Sequence, residues 1–184
     1  MPRIPPITRQ QVKPELREIF DQVTSGPEGV GTGPMSILKN SPEMARRAIP
    51  LFEYVRNEST VPHKLRELAM LVTARSMDCQ YIWNAHAALG RKAGLNDSLV
   101  NALRDKRPLP KLAADEDTVF NYCTELFKNR KVSPATFQSA LKLLGPQGVV
   151  ELTTLVGFYT MLAFNANAVE LGLPAHVTEL PMPV

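Results

Sequence analysis

Apolar residues along the chain recur at intervals of three and four, and no alternating apolar–polar run extends beyond a few residues. That rhythm predicts an all-α fold. Leu16, Ile19, Phe20 and Val23 fall on one face of a helix over 14–23. The stretch "SGPEGVGTGPMSILKN" then interrupts the pattern with glycines and prolines, as a loop or a lid would. Ser41-Pro42 reads as an N-cap followed by proline in the first turn, opening a helix to about Asn57 that Pro50 should kink. A further helix starts at 60–62 and carries "KLRELAMLVTARS". Asp78 is placed to cap the next, which runs to Ala93 and stops at Gly94. Asn96 or Asp97 opens a short helix to Asp105; amphipathic helices follow over 115–129 and 134–144. The last helix, about 149–170, contains "VVELTTLVGFYTMLAF" and is apolar on most sides. It is therefore expected inside the domain or in a subunit interface.

Composition narrows the possible partners. Hydrophobic residues make up 44% of 184, enough for a real core. The formal charge of +3 arises from 21 basic and 18 acidic residues that are interspersed, which argues against a nucleic-acid partner. No secretory signal is expected from "MPRIPPITRQ", and the apolar run from Leu152 to Phe164 is shorter than the about 20 residues that cross a bilayer. Two cysteines without CxxC spacing suit a reducing setting, so a cytoplasmic protein without membrane association is expected.

The candidate chemistry lies in "DCQYIWNAH", which holds the chain's one tryptophan, one of two cysteines and one of three histidines. In a helix Cys79, Ile82, Trp83 and His86 share a stripe. Cys79, as the first residue after a cap at Asp78, would meet unsatisfied N–H groups that favour a thiolate, although free cysteine is as often a small buried hydrophobe. Trp83 reads as a core anchor ahead of a pocket wall. His86 is either a satisfied core residue or a proton carrier. Glu67, twelve residues before Cys79, shares its stripe with Met70, Leu71 and Ala74, so it needs a partner: an inter-helix pair, or a desolvated acid or base. Cys123 reads as packing. A metal held by Glu67, Cys79 and His86 would lack a fourth ligand and the usual HxxxH or CxxC spacing.

Glu67, Cys79 and His86, in the setting "ELAMLVTARSMDCQYIWNAHAALGRKAGL", resemble the signature of the carboxymuconolactone decarboxylase and AhpD-like alkylhydroperoxidase superfamily, and "ELTTLVGFYTMLAFNANAVELGLP" is similar to the final helix of its decarboxylase-like members. The resemblance divides the chain into an N-terminal helix and loop (1–40), the helical domain (41–175) and a tail (176–184). It implies a homotrimer or homohexamer whose Glu67, Cys79 and His86 face one pocket, with Ile82, Trp83 and Arg75 toward a small-molecule substrate and no cofactor. Where the peroxidase branch has a second cysteine and many decarboxylase-like members an acid, this chain has Ile82. The dithiol cycle is thereby unavailable unless the fold brings Cys123 to Cys79.

Three functions follow as expectations. The first is a cofactor-independent lyase or isomerase acting on a small lactone or unsaturated carboxylic acid through Glu67 and His86, with Arg75, Arg91 and His63 nearby as cations. The second is a single-cysteine peroxidase in which Cys79 becomes a sulfenic acid. The third is a non-catalytic oligomer that binds a small apolar ligand.

Overall fold

The computed structural model describes residues 2–27, 29–173, 177 and 179–183. The described residues form helices and turns: α1 (Arg17–Val23), α2 (Pro34–Leu38), α3 (Pro42–Glu53), α4 (His63–Ser76), α5 (Gln80–Lys92), α6 (Asp97–Arg104), α7 (Ala114–Asn129) and α8 (Pro134–Ala168). The domain boundary expected at 175/176 falls outside the described residues.

The helix at the centre is α4, not the more apolar α8. Every residue from Leu65 to Arg75 is buried, under α5, α7, α8 and the shorter α6. Its charged residues hide this position in the sequence. Arg66 and Arg75 are buried, Glu67 is 2% exposed, and Lys64 at the N-terminal end pairs with Glu116 (3.0 Å) and Asp115 of α7 (3.5 Å). Length and apolar composition alone would let α8 cross a bilayer, but 56% of its most apolar 18-residue window is buried against the rest of the protein.

Several boundaries differ from the sequence reading. The first helix begins as a 3₁₀ turn over Pro14–Leu16, and α2 forms within the segment read as loop, with Pro34 in its first turn. Helix α3 passes through Pro50, which has no N–H to give the preceding turn, and then widens into a π-turn over Tyr54–Glu58. The helices expected over 134–144 and 149–170 are continuous except at Gly145, whose φ of 68° and ψ of 175° break the ladder where only glycine is comfortable. The end of α5 is as expected: Gly94 takes φ 98°, its N–H donates to Arg91 O (3.0 Å), and that of Leu95 donates to Gly90 O (2.9 Å).

Two polar anchors fix the parts around the central helix. Glu151, on α8 and 5% exposed, accepts from Tyr54 Oη (2.6 Å), from the backbone and side chain of Thr60 (both 2.7 Å) and from Gln147 (2.8 Å), tying the π-turn to α8. On the far side, the tail straps α5: the Gln80 amide exchanges two bonds with Met182 backbone (2.7 and 2.9 Å), and Asn84 donates to Glu179 O (3.2 Å).

Burial by itself would raise the Glu151 carboxyl, yet its four donors hold it down at about 2. A pKa depressed by folding contributes stability above the ordinary 4.5 and loses it as pH falls toward about 2. Thermal melts between pH 7 and 2 are therefore expected to show a steep acid limb, and Glu151→Gln to flatten that limb while lowering the melting temperature at pH 7.

Candidate functional site

Helices α4 and α5 approach closely because position 90 is glycine. A Cβ there would stand 2.9 Å from Leu95 Cδ1 and 3.3 Å from Leu71 Cδ1. That approach brings Glu67 of α4 and His86 of α5 together, with Oε2 2.8 Å from Nδ1 and exposures of only 2% and 5%. A carboxylate can only accept, so Nδ1 of His86 donates to it and Nε2 is the ring nitrogen outside the pair. The other carboxylate oxygen lies 3.3 Å from Nε2 of His63, whose side chain is 59% exposed. The result is a chain of contacts from bulk solvent, through His63 and Glu67, to His86.

His86 forms part of the wall of a cleft of about 970 Å³ between α5, α3, α8 and the Gly/Pro-rich segment. Its neighbours on α5 are Tyr81, Ile82 and Ala85; Phe52, Arg46 and Arg56 come from α3 and the π-turn, and Tyr159 from α8. The Tyr159 ring meets the His86 ring edge-on at 5.1 Å between centroids, and burial pushes its phenol up, so it remains a protonated donor at neutral pH. Gly33 lets the loop pass against Tyr81, where a Cβ would sit 3.4 Å from the ring.

Of the residues expected at the site, Ile82 and His86 line the cleft, with Glu67 directly behind His86. Cys79, Trp83 and Arg75 do not line it. Trp83 is 1% exposed and its Nε1 has no partner among the described residues, which makes it a core anchor. Arg75 points to the other side of α5, bound to Asp78 (2.8 Å), Arg104 O (3.2 Å) and Pro183 O (3.0 Å). Asp78 does not cap α5. It takes φ 47°, and Cys79 itself occupies the N-cap.

The consequence for the thiol is the opposite of activation. Burial pushes Cys79 up, the N–H groups of Ile82 and Tyr81 pull it down by less, and the net direction is upward. Cys123 is wholly buried and pushed up to about 12. Tyr81 and Ala85 were legible as cleft residues only through their i, i+4 relation to each other, one position before Ile82 and His86; Phe52, Arg46, Arg56 and Tyr159 had no signal, since only tertiary packing brings them here.

The sequence profile of the Carboxymuconolactone decarboxylase family matches residues 42–107, the span that contains Glu67, Cys79 and His86. That segment, about a third of the chain, is what this protein shares with the family. No curated protein matches the chain. Solved structures share its fold at low identity. An alkylhydroperoxidase AhpD core, an uncharacterized peroxidase-related protein from Ralstonia eutropha JMP134, is 14% identical with a TM-score of 0.70, covering 95% of this chain and 93% of that one. A protein of unknown function from Agrobacterium tumefaciens is 18% identical, with a TM-score of 0.66 over 76% and 96% of the two chains. The debrominase Bmp8, in complex with 2,3,4-tribromopyrrole, is 12% identical, with a TM-score of 0.66 over 92% and 90%. These likenesses establish the AhpD-like fold.

A raised thiol pKa predicts slow chemistry. Iodoacetamide labelling of Cys79 in the native protein is expected to be far slower than in urea, with its pH midpoint above the ordinary thiol range, as read by peptide mass spectrometry.

Proposed function

We propose that the protein is a cofactor-independent lyase or isomerase acting on a small lactone or unsaturated carboxylic acid. The observation that carries this reading is the buried Glu67–His86 pair whose free nitrogen borders the cleft. Nε2 of His86 takes a proton from carbon beside a conjugated carbonyl and, as imidazolium, returns it at another carbon; in a decarboxylation His86 first takes a proton from solvent and, as imidazolium, gives it to the carbanion left as CO₂ departs. Glu67 fixes the tautomer and stabilises the imidazolium. His63 gives the pair a route to exchange its proton with solvent. Tyr159 supplies a neutral donor at the cleft wall.

Ile82 in place of a second thiol or an acid, and Cys79 buried off the cleft with its pKa raised, weigh against the peroxidase reading. A fold neighbour that holds a small planar ring, 2,3,4-tribromopyrrole, supports a planar ligand of similar size. Assembly as a homotrimer or homohexamer belongs to the same reading. It is supported by an outward stripe on α8, where Val150 (65% exposed), Gly157 and Phe164 (62%) stand seven residues apart.

The test is deuterium incorporation and CO₂ release, by NMR in D₂O, over a panel of butenolide acids and α,β-unsaturated acids. His86→Ala is expected to lower the rate by about a hundred- to ten-thousand-fold, and Glu67→Gln to lower kcat more than it changes KM. If neither substitution alters any turnover while peroxide consumption depends on Cys79, the peroxidase reading replaces this one. Phe164→Glu is expected to reduce the mass measured by light scattering to that of a smaller assembly.

A further inference from the structure

The cleft has a charge imbalance that the acid–base pair does not use. Among its described lining residues the cations are Lys39, Arg46 and Arg56, and the one carboxylate is Glu53. Most of these are already occupied by the protein. The Lys39 ammonium donates to Gly29 O (2.5 Å) and Val30 O (3.2 Å), and Arg46 binds Glu43 at 3.0 and 3.1 Å. Glu53 accepts from Asn57 at 2.7 Å. Arg56 differs: its guanidinium lies 5.4 Å from the centroid of the Phe52 ring, and no carboxylate among the described residues is within ion-pair distance of it.

The backbone puts Arg56 there by an unusual route. It sits on the π-turn, closed by Ser59 N–H donating to Tyr54 O (2.9 Å) and tied to α8 through Tyr54 and Glu151. A wider turn rotates the side chains that follow it, and such turns recur at functional sites. The face of the Phe52 ring, 5.4 Å away, attracts the guanidinium and so restrains a fork suited to a carboxylate. The remaining walls offer Ile82, Leu162 and the rings of Phe52 and Tyr159, an apolar setting for a flat conjugated body.

We propose that Arg56 anchors the ligand's carboxylate, so that the cleft selects a planar, apolar monocarboxylate with its conjugated carbons toward His86. This deepens the acid–base reading and rests on it for the orientation of the ligand. Neutral esters and amides of the same shape are excluded, because they leave the guanidinium desolvated without a partner. The role expected from the sequence for Arg75 falls to a residue nineteen positions earlier.

The probe is cinnamate, with cinnamamide as its uncharged counterpart, titrated into the full-length protein and followed by the imidazole resonances of ¹⁵N-labelled His86. Wild type is expected to show saturable binding of cinnamate, weakened about ten-fold or more in Arg56→Gln and only partly in Arg56→Lys, with cinnamamide equally weak in all three. Circular dichroism and melting temperature report whether each variant folds as wild type does. Equal binding of acid and amide, no effect of Arg56→Gln, or no saturable binding of cinnamate at millimolar concentration overturns the proposal. The two readings fail separately: loss of turnover in His86→Ala with affinity independent of Arg56 removes only the anchor, and Arg56-dependent affinity without any His86-dependent turnover removes only the acid–base chemistry.

Discussion

The fold depends on how a carboxylate is tolerated in the middle of an apolar bundle. Glu67 lies on the helix that every other large helix except α3 covers, and an unpaired carboxylate there would be costly enough to disfavour the arrangement. His86 at 2.8 Å and His63 at 3.3 Å meet both of its oxygens. Gly90 makes the first of these contacts possible by letting α5 approach α4, and the tail bonds to Gln80 and Asn84 hold α5 from outside. The same pair that satisfies the core thus leaves one imidazole nitrogen for the cleft.

The different settings of Cys79 and His86 follow from position rather than from residue type. Cys79 and His86 stand two helical turns apart on one helix and were equally plausible reactive groups. Cys79 caps the helix within the core, where loss of water outweighs the help of two N–H groups. His86 lies at the cleft wall with a carboxylate behind it. Burial therefore quiets the thiol and organises the imidazole.

Helix content, the capping glycine at 94 and the pairing need of Glu67 were legible because each is set by neighbours within a few residues. The kinked continuity of α8, the π-turn after α3 and the burial of α4 were not. Each depends on contacts across the chain: Glu151 gathers Tyr54 and Thr60 from about ninety residues away, and charged α4 is central because Glu67 finds His86 and Arg75 finds the carbonyls of Arg104 and Pro183.

The sequence by itself determined an all-α chain, the Glu67, Cys79 and His86 signature, and the absence of a second thiol at Ile82. Only tertiary structure decided which of these meet and which face the cleft. Helical periodicity fixes the side of a helix on which a residue lies, but a side becomes a core, a cleft or a surface through what packs against it. Arg75 and Arg56 illustrate the difference. One lies beside the motif in sequence and is spent on the tail; the other is remote in sequence and is carried to the cleft by the turn that follows α3.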